Sequence, residues 1–143
     1  DNIINKTLET NEPKVKELLL NSKLKVLETE KDIVQTCDII FIFIQTPSKK
    51  NGEYEHSYID YFLDKIKNIT DDEKIIVISS TVMPEYTDAV INNIEENIKI
   101  CYNPTFIAQG SIIDNLTNPE IILLGSYSKK TTDIIQNIHK KII

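Results

Sequence analysis

The stretch DIIFIFI at 38–44 is apolar at every position after the first. A strand with one wet face would alternate apolar and polar side chains, so an unbroken run of this length fits a strand covered on both faces, as in a parallel sheet. KIIVISS at 74–80 repeats the pattern, and shorter apolar runs follow at KICY and EIILLG (120–125). Between them HSYIDYFLDKIKNI sets Ile59, Phe62, Leu63 and Ile66 at helical spacing, TDAVINNIEENI supplies another helix, and KKTTDIIQNIHKKI closes with Ile134, Ile135, Ile138 and Ile142 on one side. Upstream, EPKVKELLLNS predicts a short helix with Pro13 at its first position, LKVLETE at 24–30 a short strand, and EKDIVQTC a brief helical turn. Strands alternating with helices predict an α/β fold: a mostly parallel sheet with helices on both faces.

A chain of 143 residues is expected to be one domain with a real core. Its 22 acidic against 16 basic residues give a net charge of -6, which argues against nucleic acid as a partner, because affinity for a phosphate backbone comes from clustered cations. No apolar run reaches membrane-spanning length, and the start DNIINKTLETNEPK has neither the positive region nor the apolar core of a signal peptide, so no membrane partner is expected. The two cysteines, Cys37 and Cys101, lack metal-like spacing and are too few for a disulfide framework; a reducing, cytoplasmic setting and no metal are expected. Cys101 reads as a small buried residue, His139 among its lysines as a surface residue, and His56 as a residue at a helix start.

In open α/β sheets, ligands sit beyond the carboxyl ends of the strands. The informative loops are then QTPSKKNGEY, SSTVMPEYT and NPTFIAQGS. Each sets small hydroxyl or amide side chains beside a proline: Thr46, Ser80 and Thr81 offer hydroxyls, Asn103 and Gln109 amides, and Gly110 allows close backbone approach. Such groups suit a neutral, hydrogen-bonding site for a polar ligand.

DIIFIFIQTPS, IIVISSTVMPE and NPTFIAQGSIIDNLTNPEIILLG, in that order, resemble the nicotinamide-binding half of the nucleotide-sugar dehydrogenases, the UDP-glucose/GDP-mannose dehydrogenase family; NEPKVKELL is similar to its Glu-Pro-Gly-Leu helix start. The resemblance spans nearly the whole chain and implies a Rossmann-like fold, NAD as cofactor and a nucleotide sugar, UDP-glucose first, as substrate. It implies that Ile44, Gln45, Thr46, Pro47 and Ser48 line the cofactor together with Ser80, Thr81, Val82 and Gln109. Thr81 is further implied to hold a water near the reacting carbon, and Thr105, Phe106, Ile107, Ala108 and Gln109 to grip the sugar nucleotide. The implied reaction is two successive hydride transfers to NAD that turn UDP-glucose into UDP-glucuronate through a thioester on a cysteine from the family's second half.

The same resemblance exposes departures. Thr105 and Gln109 stand where the family has glutamates, Thr105 at the position implicated in proton handling, and Glu85 stands where the family commonly has glycine. No G-x-G-x-x-G occurs, and by this mapping the chain lacks the fold's first two strands, so 1–143 is expected to be a single, partial NAD-binding domain of a longer parent that is able to form a homodimer. The alternative reading is a degenerate, non-catalytic module that binds a sugar nucleotide or a partner.

Overall fold

The unbroken apolar runs become neighbouring strands. The computed structural model describes residues 2–67, 69 and 71–143. Along the chain follow α1 (Val15–Asn21), α2 (Glu30–Thr36), β1 (Ile39–Ile42), α3 (Ser57–Ile66), β2 (Lys74–Ile78), α4 (Tyr86–Ile91), β3 (Ile98–Tyr102), α5 (Ile112–Thr117) and α6 (Lys129–His139). The strands form one sheet in the order β1-β2-β3, parallel throughout. The register sets Ile42 beside Ile78 and Ile78 beside Tyr102, so the strands end level and release their loops along one rim.

Successive strand residues point to opposite faces. Ile40, Ile42, Ile76, Ile78, Ile98 and Ile100 pack on one face with Val34 of α2 and Ile59, Leu63 and Ile66 of α3, and Val90 and Ile91 of α4 join them. Ile75, Val77 and Cys101 point the other way, onto Ile135, Ile134 and Ile138 of α6. Both faces are therefore covered, and β2 is buried at every position. That double cover is the physical reason the strand sequences carry no polar alternation.

Two helix starts are capped by side chains and two others are left-handed. Thr29 caps α2 by accepting from Asp32 N at 3.1 Å, and Ser128 caps α6 by accepting from Thr131 N at 3.2 Å. Lys14 before α1 and Glu85 before α4 instead adopt left-handed backbone, with φ of 67° and 68° and no capping side chain. Both follow a proline at positions where the resembled pattern carries glycine.

Two expected strands are absent. Residues 24–30 run without a ladder, with Leu24 67% and Val26 41% exposed, because among the described residues no strand flanks β1 on its outer side. EIILLG contributes a single antiparallel bridge, in which Tyr102 and Gly125 exchange hydrogen bonds of 2.7 and 2.9 Å. The bridge cannot extend past Tyr102 because Pro104 has no N–H. The Asn103 side chain donates to Leu123 O instead, and Ser126 Oγ takes Ile100 O on the other side. α1 begins two residues after Pro13, and α4 covers only the first half of its expected span. α5 went unpredicted, although Ile112, Ile113 and Leu116 after Ser111 carry a helical spacing.

Two outcomes follow from this packing. A left-handed backbone costs a side-chain-bearing residue about 1–2 kcal/mol, and glycine escapes that cost while losing more chain entropy. Glu85→Gly is therefore expected to raise unfolding free energy by about 0.5–1 kcal/mol in a denaturant titration, and a loss of stability would refute the strain at this turn. Burial pushes the Cys101 thiol up to about 11. A folded-state value above the unfolded one contributes stability that is complete below the unfolded value, about 8.5 for a free thiol, and is lost as pH rises. Stability is expected to fall more steeply toward pH 11 in the unaltered chain than in Cys101→Ala; equal slopes would count against the buried thiol.

Candidate functional site

Side chains stitch the loops together where the strands stop. Ser79 N and Ser80 N both donate to Ile42 O, at 3.0 and 3.2 Å. Ser80 Oγ accepts from Ile44 N at 2.8 Å and donates to Ile42 O at 3.4 Å, so one hydroxyl replaces the next rung of the β1-β2 ladder. Thr46 Oγ1 donates to Thr81 O at 2.7 Å, which accounts for a threonine before Pro47: it holds the first loop on the second. Asn103 N donates to Ile78 O at 2.9 Å and carries the third loop onto β2.

Two hollows open on this rim. The first, about 520 Å³, is lined by residues 43–47, 79–81 and Thr105, none of them charged. Ser79 Oγ, buried in its wall, has no hydrogen-bond partner among the described residues. A buried hydroxyl left unpaired is costly, and a polar ligand in this hollow is the group that would pair it. The second hollow, about 760 Å³, is lined chiefly by residues 103–108 and 118–122, with Asn115, Leu116 and His139; Glu120 brings it a carboxylate. Thr105 lines both hollows.

Of the residues expected at the cofactor, Ile44, Gln45, Thr46, Pro47, Ser80 and Thr81 come together in the first hollow, and of those expected at the sugar, Thr105, Phe106, Ile107 and Ala108 line the second. Three stand apart from both. Ser48 pairs with Tyr54 in a bridge that closes the 48–54 loop, and Val82 is buried in the core. Gln109 is exposed on the turn it shares with Gly110, whose φ is +86°. That turn is tied to the start of α1: Gly110 N donates to Glu12 Oε1 at 2.6 Å, and Lys14 Nζ pairs with the Asp114 carboxylate. Within the segment, Ala108 N donates to Asn115 Oδ1 at 2.9 Å.

Sequence reasoning missed Ser79 and misplaced His139. Ser79 opens the SSTVMPEYT loop, of which the sequence singled out only Ser80, Thr81 and Val82. His139 is half-buried, lines the second hollow and stands with Nε2 2.8 Å from Asn103 Oδ1, and burial holds its pKa below the usual imidazole value. The signal was present, because His139 follows the buried Ile135 by one helical turn. His56 ties α3 to the turn after β2: its Nε2 accepts from Met83 N at 3.3 Å, and its ring lies 4.1 Å from that of Tyr86. The Tyr86 hydroxyl, which donates to Asp60 at 2.6 Å, is held well above the usual phenol range by burial and by that carboxylate.

The hollows lie at the carboxyl ends of parallel strands, the ligand-binding edge of α/β sheets. The chain is 30% identical over 124 residues to the UDP-glucose 6-dehydrogenase of Rickettsia bellii, an alignment covering 85% of the chain and 29% of that enzyme. It is 26% identical over 147 residues to the GDP-mannose 6-dehydrogenase of Pseudomonas syringae pv. tomato, covering 92% of the chain and 34% of the relative. Among solved structures, GDP-mannose dehydrogenase from Pseudomonas aeruginosa superposes with a TM-score of 0.89 at 24% identity, over 99% of this chain and 36% of that one. The UDP-glucose dehydrogenase of Pyrobaculum islandicum gives 0.85 at 19%, again over 99% and 36%. The fold is thus the Rossmann-like one of nucleotide-sugar dehydrogenases, and the chain spans about a third of the length of these proteins. Residues 1–143 match the NAD-binding domain of the UDP-glucose/GDP-mannose dehydrogenase family along their whole length, and the chain belongs to that family.

Proposed function

We propose that residues 1–143 are the sugar-proximal part of the NAD-binding domain of an enzyme that oxidises UDP-glucose to UDP-glucuronate. The observation that carries this reading is the placement of Thr105 on both hollows, where a dinucleotide in the first and a nucleotide sugar in the second would meet. The residues of the first hollow fit NAD. They are uncharged, the unpaired Ser79 hydroxyl is a ready partner, and Ile44 and Pro47 add apolar surface to a wall that is open to solvent. NAD, when bound, supplies a two-electron acceptor.

The chain's own contribution is position. The Thr46–Thr81 bond and the Ser80 hydroxyl fix the wall, while Thr105 offers a hydroxyl to a ligand on either side. Thr105 does not act as a base near neutral pH, so proton removal falls to groups outside this residue. UDP-glucose is preferred over other sugars because five similar proteins, at 26–30% identity, are UDP-glucose 6-dehydrogenases. Both cysteines are free thiols, which supports a reducing, cytoplasmic setting. The second reading, a binding module without hydride transfer, is favoured by Thr105 and by the exposed Gln109, which bring no carboxylate to the junction.

The full-length protein that carries these residues is expected to reduce NAD with UDP-glucose, forming two NADH per sugar, followed by absorbance against GDP-mannose and UDP-N-acetylmannosamine as competitors. NADH with another sugar alone would move the substrate assignment, and none with any of the three would favour the binding module. Ser79→Ala is expected to keep or raise the stability of the ligand-free protein, because the lost hydroxyl is buried without a protein partner, while raising the KM for NAD about threefold to tenfold. An unchanged KM for NAD would remove Ser79 from the cofactor wall.

A further inference from the structure

His139 ends α6, far from the three loops in sequence, and the function above makes no use of it. Its Nε2 lies 2.8 Å from Asn103 Oδ1. The Asn103 amide is spoken for on its other side, where Nδ2 donates to Leu123 O at 2.9 Å, and its backbone N donates to Ile78 O at 2.9 Å. With Nδ2 acting as donor, Oδ1 is the acceptor, so the His139 proton must sit on Nε2. Asn103 is only 4% exposed and is followed by Pro104, which confines its backbone to extended geometry. Three bonds from three directions therefore fix the residue where β3 ends and the segment bearing Thr105 begins.

We propose that His139 is a positioning residue: its Nε2–H orients the Asn103 amide and, through it, sets the course of the 104–108 segment that places Thr105 between the two hollows. The inference deepens the reading of that site as the meeting place of dinucleotide and sugar, and it rests on that reading for its kinetic consequence. An alanine at 139 leaves Asn103 Oδ1 buried and unpaired, and the amide is then free to turn. Glutamine reaches from the same helix with an N–H donor and keeps the bond. The first hollow takes only Thr105 from this segment, so NAD affinity is buffered from the change.

The test uses the full-length protein and its His139→Ala and His139→Gln variants. The His139 ring of the unaltered protein, labelled with nitrogen-15, is expected to show the Nε2–H tautomer by NMR. Deuterium uptake across 103–108 is expected to quicken at least about threefold in His139→Ala, and the KM of whichever sugar is turned over to rise about fivefold, with the KM for NAD within about twofold. His139→Gln is expected to restore both. An Nδ1–H tautomer, unchanged uptake in His139→Ala, or His139→Gln as impaired as the alanine variant would overturn the proposal. Should no sugar be oxidised by the unaltered protein, the dehydrogenase reading falls, while tautomer and uptake still decide the clamp. Should His139→Ala fail to fold, the tautomer and the glutamine variant decide it.

Discussion

The parallel register that sets Ile42, Ile78 and Tyr102 side by side is the constraint on which the site depends. Level strand ends deliver three loops to one rim, and a shift of one residue in any pair would turn that strand's buried side chains toward the opposite face. The register is in turn held by cover on both sides of the sheet. Ile76 and Ile78 face α2 and α3, and Ile75 and Val77 face α6. The core and the site are therefore not separable parts. The same apolar residues that hold β2 in place decide where Ser79, Ser80 and Thr81 emerge.

Beyond the strand ends, side chains continue what the backbone cannot. Ser80 Oγ takes the Ile44 N–H, Thr46 takes the Thr81 carbonyl, Asn103 takes the Leu123 carbonyl and Ser126 the Ile100 carbonyl. Each substitution occurs where a proline or a diverging loop ends regular pairing, and each consumes a hydroxyl or amide that the sequence alone would offer to a ligand. Thr46 illustrates the distinction: its hydroxyl is engaged within the protein, so its service to a ligand is to hold the wall in shape. Ser79, whose hydroxyl finds no protein partner, is the side chain left to pair with something else.

The strands that line up in the sheet were legible because double burial leaves a run with little polar interruption. EIILLG carries such a run yet meets β3 only through the Tyr102–Gly125 bridge, and LKVLETE, interrupted by Lys25 and Glu28, has no ladder among the described residues, because pairing is a property of the sheet rather than of the segment. The loops were legible as a set because their hydroxyls and amides follow successive strands. Gln109 stands outside both hollows, exposed beside a left-handed glycine at 110, and sequence reports that glycine can turn without reporting which way. His139 was hidden by its lysine neighbours, since its bond partner lies 36 residues away and the two meet only when α6 packs on the sheet.

The departure at position 105 changes what this edge contributes. A carboxylate there could take up a proton, whereas a threonine can only donate and accept hydrogen bonds without changing charge at neutral pH. Position 105 thereby offers geometry rather than ionisation, while Glu120 and His139 bring ionisable groups to the second hollow. Asn103 is clamped from His139, Leu123 and Ile78 at one end of the segment, and at the other Ala108 is bonded to Asn115 and Gly110 is held by Glu12. A segment anchored at both ends can hold Thr105 to one position, and a neutral hydroxyl there acts through position and hydrogen bonding alone.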